Sequence, residues 1–228
     1  MPPSSRSSLP LSADAVAQRL HSCGFSPESS QVAQLTTYLE LLMKWNRVMN
    51  LIGPYRWDEA LEVLIMDSLH LAVFLDGLQL PSAPRCWDFG AGAGLPGIPL
   101  RIVWNKGAYY MVEVREKRAL FLVQTVARLS LAETHVFRGR AEDFMENEEP
   151  ADLLVSRAFM PWEKLLPFVE GRLRPAGTEN EGGRVIVLGL NPAPDALPAT
   201  WALEREQAYT VGRDTRYFWS LRPKNALI

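Results

Sequence analysis

Apolar residues recur along this chain with two different periods, and the change falls near residue 81. Between 28 and 50, Val32, Leu35, Leu39, Leu42, Trp45 and Met49 are spaced by three or four, which puts them on one helix face. Ser26-Pro27 offers a cap followed by a first-turn proline. A second helix is expected over 58–75, with Leu61, Leu64, Ile65, Leu69 and Ala72 facing inward, and Gly77 and Pro81 end it. Beyond 81, short apolar runs alternate with helical patterns. The runs predict strands at 85–89, 109–114, 134–138, 152–156 and 184–190, with helices over 95–104, 117–130 and 161–172. Alternation of this kind implies a parallel sheet covered by helices, with a ligand crevice at the C-terminal strand ends. Two last strands, 201–209 and 215–221, flank Gly212 with no helix between them, so they must be antiparallel.

Composition narrows the class without naming a function. Of 228 residues, 47% are apolar and 22% charged, which suits a soluble globular protein. No apolar run approaches the roughly 20 residues that cross a bilayer, so no membrane partner is expected. The opening MPPSSRSSLP lacks the apolar core of a signal peptide. Residues 1–11 are therefore read as a disordered tail, and a cytoplasmic protein is expected. A net charge of −2 argues against a general nucleic-acid coat but leaves room for a local basic patch. Cys23 and Cys86 fall in unlike contexts and are read as free thiols. His21, His70 and His135 form no ligand pair, and the acidic run from Glu142 to Glu149 reads as a solvated loop, so no metal is expected.

The candidate chemistry lies in residues 87–97, WDFGAGAGLPG. One reading is a sharp strand-to-helix turn without a ligand, which explains one or two glycines but not three alternating ones after Asp88. A second takes Gly92, Gly94 and Gly97 as a G-x-G-x-x-G dinucleotide fingerprint, with pyrophosphate on the helix N-terminus. Pro96 and Pro99, however, delete N–H donors from that terminus. The third reading is a pocket for S-adenosylmethionine, which carries no phosphate. Asp88 would help hold its ammonium, Gly90, Gly92 and Gly94 would let backbone approach it, and Glu113 at the next strand end would accept its ribose hydroxyls. Arg140-Ala141-Glu142, after the third strand, would meet the adenine. Three such loops at successive strand ends favour this reading. The Asp88-Phe89-Gly90 triplet imitates a kinase motif, but no H-R-D loop accompanies it.

The expected fold is thus α/β, a Rossmann-like class I methyltransferase whose mostly parallel sheet ends in an antiparallel hairpin. A helical region over 12–80 precedes the methyltransferase domain at 81–228. For the methyl acceptor, the fourth strand ends in Ser156-Arg157-Ala158-Phe159. It has neither the N-P-P-Y of amine methyltransferases nor a nearby nucleophilic cysteine. Arginine beside an aromatic suits a purine, by stacking and by pairing with its O6 and N7 edge. Guanine N7 already carries a lone pair, so no general base is required. The alternative for Arg157 is a structural salt bridge, with Glu113 or Glu142.

Several segments together carry a family resemblance. They are Lys44-Trp45-Asn46 with Asn50-Leu51, Asp67-Ser68, the run from Asp88 through Gly97-Ile98-Pro99-Leu100, Lys117-Arg118, Gly139-Arg140-Ala141-Glu142 and Ser156-Arg157-Ala158-Phe159. Over about 39 to 221 the chain resembles the bacterial small-subunit ribosomal RNA methyltransferase G family, also called glucose-inhibited division protein B. The resemblance implies methylation of guanine N7 in 16S rRNA with S-adenosylmethionine. It places Gly90, Leu95, Ala141, Glu142 and Arg157 at the cofactor, with Arg140 close by. Arg157 and Arg140 are then the catalytic candidates. Lys44, Arg47, Arg115, Lys117, Arg118 and Arg216 are expected to form an RNA-facing rim, each alone being an ordinary surface charge. The partner would be 16S rRNA or the small ribosomal subunit, and a monomer is expected. Two positions depart from the family pattern: Val63-Leu64 stands where Arg-His is usual, and Gly189 where lysine is usual. Two alternatives therefore stand beside this function. One is a methyltransferase for another RNA or a small molecule, and the other is a non-catalytic ribosome-associated factor.

Overall fold

A computed structural model describes residues 10–177 and 182–224. The first nine residues of the expected tail lie outside the described residues. The N-terminal elements are α1 (Ala13–Ser22), α2 (Ser29–Met49), α3 (Trp57–Ala60), a π-helical turn (Leu61–Ile65) and α4 (Met66–Asp76). Then come β1 (Arg85–Phe89), α5 (Gly97–Val103), β2 (Ala108–Glu113), α6 (Glu116–Leu129), β3 (Thr134–Arg138) and α7 (Ala141–Asn147). The chain continues through β4 (Leu153–Arg157), α8 (Trp162–Val169), β5 (Arg184–Gly189), β6 (Trp201–Val211) and β7 (Asp214–Pro223).

The seven strands form one sheet in the order β3-β2-β1-β4-β5-β7-β6. The first five are parallel, and β7 runs antiparallel to both β5 and β6. Strand order reverses between β1 and β4, so the crossover helices diverge there and open a crevice beyond the carboxyl ends. Side chains alternate between the two faces, as the pleat requires. Cys86, Tyr109, Met111, Leu153, Val155 and Ile186 meet α2, α4, α5 and α6, and Trp87, Phe89, Leu154 and Val185 meet α7 and α8. The N-terminal helices share the first of these cores, so they close one face of the sheet.

Local chemistry moves several boundaries away from the sequence pattern. The cap of α2 is Glu28, whose side chain accepts from the backbone of Gln31 while Gln31 reaches back to the Glu28 backbone, a reciprocal capping box in place of the Ser26-Pro27 cap. The expected helix over 58–75 is interrupted by the π-helical turn. Its extra residue rotates α4 so that Asp67 and Ser68 are buried along with Met66, Leu69, Leu71 and Phe74. The acidic run expected as a loop becomes α7 up to Asn147, because Phe144 and Met145 bury against Trp87, Phe89 and Phe137 and recruit the segment. Cys86 is buried and Cys23 half-buried, and both are free thiols.

One buried cation pins the far end of the sheet. The Arg101 guanidinium, 2% exposed, donates to the carbonyls of Trp104, Asn105, Lys106, Gly107 and Ala132 and to the Thr134 hydroxyl. Saturating its donors lets a charge sit in the interior and fixes the α5–β2 turn, leaving the opposite end of the sheet for the site.

Candidate active site

The loop after β1 is held from all sides by hydrogen bonds. Gly90 and Ala91 donate to the Val112 carbonyl at 2.9 and 3.2 Å, Gly94 donates to Ala91 at 2.7 Å, and Gly92 donates to Glu113 Oε2 at 2.9 Å. Gly90, Gly92 and Gly94 all have left-handed φ, of 68, 58 and 77°, a region open to glycine at little cost. Four loop N–H groups are therefore already committed within the chain. The helix that follows, α5, has only seven residues and a proline at its cap. Neither feature suits pyrophosphate, whose binding calls for converging unpaired N–H groups.

Beneath the loop lies Asp88, 2% exposed. Its carboxylate accepts from the Tyr109 hydroxyl at 3.1 Å and from the backbone N–H of Gly97. Burial pushes its pKa up to about 7, against the lowering effect of Tyr109 and of the Arg157 charge. A Cβ at position 97 would lie 2.7 Å from Asp88 Oδ2, so glycine there is what lets the carboxylate under the helix start. From the other side, the buried Tyr38 of α2 donates its hydroxyl to the Ala93 carbonyl at 2.9 Å.

Glu113 ends β2 with its carboxylate aimed along the strand. Oε2 accepts from Gly92 and Oε1 from the Arg115 N–H at 2.8 Å, and each oxygen keeps a lone pair for a further donor. The residue is 4% exposed. Beside it opens a cleft of about 280 Å³, lined by Gly90, Val112, Glu113, Val114, Gly139, Arg140, Ala141, Glu142 and Phe159. The structure thus brings Gly90, Glu113, Arg140, Ala141 and Glu142 together. Gly92, Gly94 and Leu95 form the loop next to the cleft, with Asp88 at the end of β1 beneath it and Arg157 at the end of β4; none of these five lines the cleft, and Leu95 packs into the core.

Across the switch point, β4 ends in Arg157, followed by Ala158 at φ 55°. Left-handed backbone at a residue other than glycine stores strain and often marks a functional turn. This turn carries Phe159 onto Gly90: a Cβ at position 90 would lie 2.9 Å from the ring. The Arg157 side chain is 22% exposed, and its Nη2 lies 3.1 Å from Asp67 Oδ2. Its partner is therefore neither Glu113, which is taken by backbone N–H groups, nor Glu142, which lies 3.7 Å from Arg140 Nε. Asp67 also receives Arg216 Nη1 at 2.6 Å on each oxygen and the Tyr209 hydroxyl at 3.0 Å.

Arg216 corrects the expected rim. It is 8% exposed and bound to Asp67 and to the Val63 carbonyl at 2.8 Å, so its guanidinium is held in the interior and not on the exposed rim. Lys44, Arg47, Arg115 and Lys117 are exposed and Arg118 is half-buried. They share one end of the molecule because α2 runs antiparallel to α6. Gln34 donates to the Leu129 carbonyl at 2.9 Å, while the Trp45 and Phe121 rings meet at 5.8 Å. The end of α2 thus stands beside the start of α6, above the C-terminal end of β2.

Tyr38, Asp67 and Tyr209 join the surroundings of the site without being expected there from the sequence. Asp67-Ser68 had a legible signal, two polar residues inside an apolar helical stretch. Tyr38 and Tyr209 had none, since each is one aromatic in an amphipathic element. Of the two departures, Val63 lies in the π-helical turn and offers only its carbonyl. Gly189 lies beside the Trp219 indole, which donates to Asn191. Among the described residues no group of His, Cys, Asp and Glu could hold a metal, and no helix is long and apolar enough to cross a membrane.

Comparison with known proteins gives a consistent picture. Residues 31–179 match the family model described as rRNA small subunit methyltransferase G. A ribosomal RNA small subunit methyltransferase G from Nitratidesulfovibrio vulgaris is 55% identical over 88% of this chain and 89% of its own. One from Oleidesulfovibrio alaskensis is 50% identical over 89% of this chain and 90% of its own. Among solved structures, an O-methyltransferase from Bacillus cereus, in complex with SAH, superposes with a TM-score of 0.60 at 17% identity, covering 92% of this chain and 97% of that one. A putative O-methyltransferase from Klebsiella pneumoniae gives 0.61 at 15% identity over 93% and 97%; at these identities the likeness is one of fold alone, the class I methyltransferase fold. With a matching model over most of its length and close relatives covering nearly all of it, the chain belongs to the rRNA small subunit methyltransferase G family.

Proposed function

We propose that this protein is an S-adenosylmethionine-dependent methyltransferase acting on N7 of a guanine in 16S ribosomal RNA. The observation that carries the donor half is the buried Glu113 carboxylate, held by Gly92 and Arg115 with lone pairs left over, in the same cleft as Gly90 and Ala141. A vicinal diol such as a ribose presents two hydroxyl donors to such a group. Ala141 and Glu142, at the end of β3, would border the adenine, and the glycine loop would border the amino-acid end with Asp88 supporting it from below. When bound, the donor supplies an electrophilic methyl group on a sulfonium.

The acceptor half rests on the family and on the β4 end. The Nitratidesulfovibrio and Oleidesulfovibrio relatives are named for the small-subunit ribosomal RNA. Guanine N7 needs no deprotonation, so this chain would have to supply alignment, charge and exclusion of water in place of a base. Phe159 can stack on a purine, and Arg157 and Arg140 can place guanidinium charge near it. Lys44, Arg47, Arg115, Lys117 and Arg118 would hold phosphates at the mouth, working without Arg216. The protein would act as a monomer in the cytoplasm, on the RNA or the small subunit.

The test is to map N7-methylguanosine in 16S rRNA from cells with and without the gene, and to restore it with the purified protein. Loss on deletion and recovery on addition are expected. An unchanged methylation map would refute the acceptor, while S-adenosylhomocysteine binding would still report on the donor site.

A further inference from the structure

One carboxylate at the end of β4 holds two guanidiniums and a phenol. Asp67, with a side chain 3% exposed, pairs with Arg157 of β4, with Arg216 of β7 and with Tyr209 of β6. Arg216 and Tyr209 are enclosed by packing, Tyr209 being stacked on Phe218 with ring centroids 4.2 Å apart. Arg157 is the member that reaches the open side. Its contact with Asp67 is the one polar bond its guanidinium makes among the described residues, so most of its five N–H donors remain available.

The charges explain why this arrangement should matter. Two cations share one anion, so the cluster keeps a positive charge, and that charge is expressed at Arg157. Its field reaches Asp88 and Tyr38 at the glycine loop, where it opposes the effect of burial on both. Without Asp67 the two guanidiniums, one on β4 and one on β7, would repel each other. Arg157 would then turn towards solvent or towards Asp88, the acid beneath the glycine loop.

We propose that Asp67, backed by Arg216 and Tyr209, is a positioning group that holds the Arg157 guanidinium at the end of β4, facing the glycine loop that borders the donor cleft. Donor affinity then depends on α4 and on the C-terminal hairpin, elements that do not line the cleft. The proposal rests on the methyl-donor reading of that cleft. The carboxylate at the donor's amino-acid end is the anion that the surplus charge suits.

A double-mutant cycle tests it, with S-adenosylhomocysteine titrated calorimetrically into the full chain and thermal unfolding recorded for every variant. Asp67→Asn is expected to weaken binding about tenfold and Tyr209→Phe about threefold, magnitudes usual for directly coupled groups. Both losses should vanish in an Arg157→Ala background, and Asp67→Glu should recover part of the affinity by restoring the charge. Losses of equal size with and without Arg157, or unchanged affinity in folded single variants, would overturn the proposal. Should Asp67→Asn fail to fold, the Tyr209→Phe cycle decides alone, because that change removes one hydroxyl and leaves the ring stack in place. Failure of the unmodified protein to bind the probe would instead sink the donor reading itself.

Discussion

On the β1–β3 side of the cleft, the two buried acids, Glu113 and Asp88, are fixed by backbone N–H groups or by a neighbouring strand; on the β4 side, Arg157 is fixed only by side chains. Glu113 is held by N–H groups 21 and 2 residues away in sequence, and Asp88 by Tyr109, again 21 residues away. Arg157 depends on Asp67, which in turn is bound by Tyr209 and Arg216 at separations of 142 and 149 residues. The first kind of support comes with the β-α-β unit and is as rigid as the sheet. The second is assembled from α4, β6 and β7 and exists only once the chain has closed. The site is therefore half scaffold and half assembly, and damage to its two halves should look different.

The strongest way to break the scaffold half is Gly94→Val. The residue is left-handed, and a Cβ there would lie 2.3 Å from Ile98 Cδ1. Backbone strain and overpacking together should cost about 4 kcal/mol, read as a large fall in denaturant midpoint together with lost donor binding. Gly92→Val sharpens the contrast, because a Cβ at 92 finds its nearest neighbour at 3.5 Å. That variant should fold, with a cost of about 1–3 kcal/mol from its φ alone, yet lose S-adenosylhomocysteine affinity. Equal destabilisation of the two variants would contradict the placement of these glycines.

In the assembled half, Arg216→Gln should cost about 2–3 kcal/mol, the worth of charged hydrogen bonds lost from a buried group. The salt dependence of RNA binding should stay as it was. A flatter salt dependence in that variant would return Arg216 to the RNA surface.

Asp88 provides a pH-dependent comparison. Its folded-state pKa of about 7 lies above the ordinary value of 3.8, so the folded state holds a proton that the unfolded chain has already lost. The stability associated with this group is present in full below about pH 4 and is lost as pH rises through 7, by about 4 kcal/mol at most. Asp88→Asn carries no such titration. Its melting temperature relative to the unmodified protein should therefore rise between pH 5 and pH 8, and a constant difference would refute the raised pKa.

The smallest effect on stability belongs to the rim. Lys44→Gln and Lys117→Gln should each shift stability by less than about 0.5 kcal/mol. Each should lower the log–log salt slope of RNA binding by about 0.7–0.9, if it meets one phosphate. Unchanged slopes would remove these residues from the RNA surface.

The five parallel strands were legible to within a residue because their apolar runs are short, and the sheet buries both faces of β1 and β4; the two hairpin strands run up to two residues further than their apolar pattern, because their ladder continues through half-exposed pairs. The glycine loop and Glu113 were legible because a strand end, a tight turn and an acid one strand later are all local features. The π-helical turn was not, since an inserted residue leaves the spacing of Leu61, Ile65, Leu69 and Ala72 looking helical. Nor was α7, whose acidic surface hides the two residues, Phe144 and Met145, that anchor it. Arg216 was misread for the same kind of reason. An arginine in an edge hairpin gives no local sign of a buried aspartate 149 residues away.

By itself the sequence determined the alternation of strands and helices, the antiparallel ending, the glycine cradle and the acid that faces it. Each of these follows from patterns shorter than a β-α-β unit, where periodicity and φ preference act. Only the tertiary structure decided that Asp88 supports the loop from beneath, that Tyr38 clamps it from above, and that Arg157 is steadied by α4 and the last hairpin. Those contacts join residues far apart in the chain, and whether a charge ends up buried and paired or exposed depends on what the rest of the fold packs beside it.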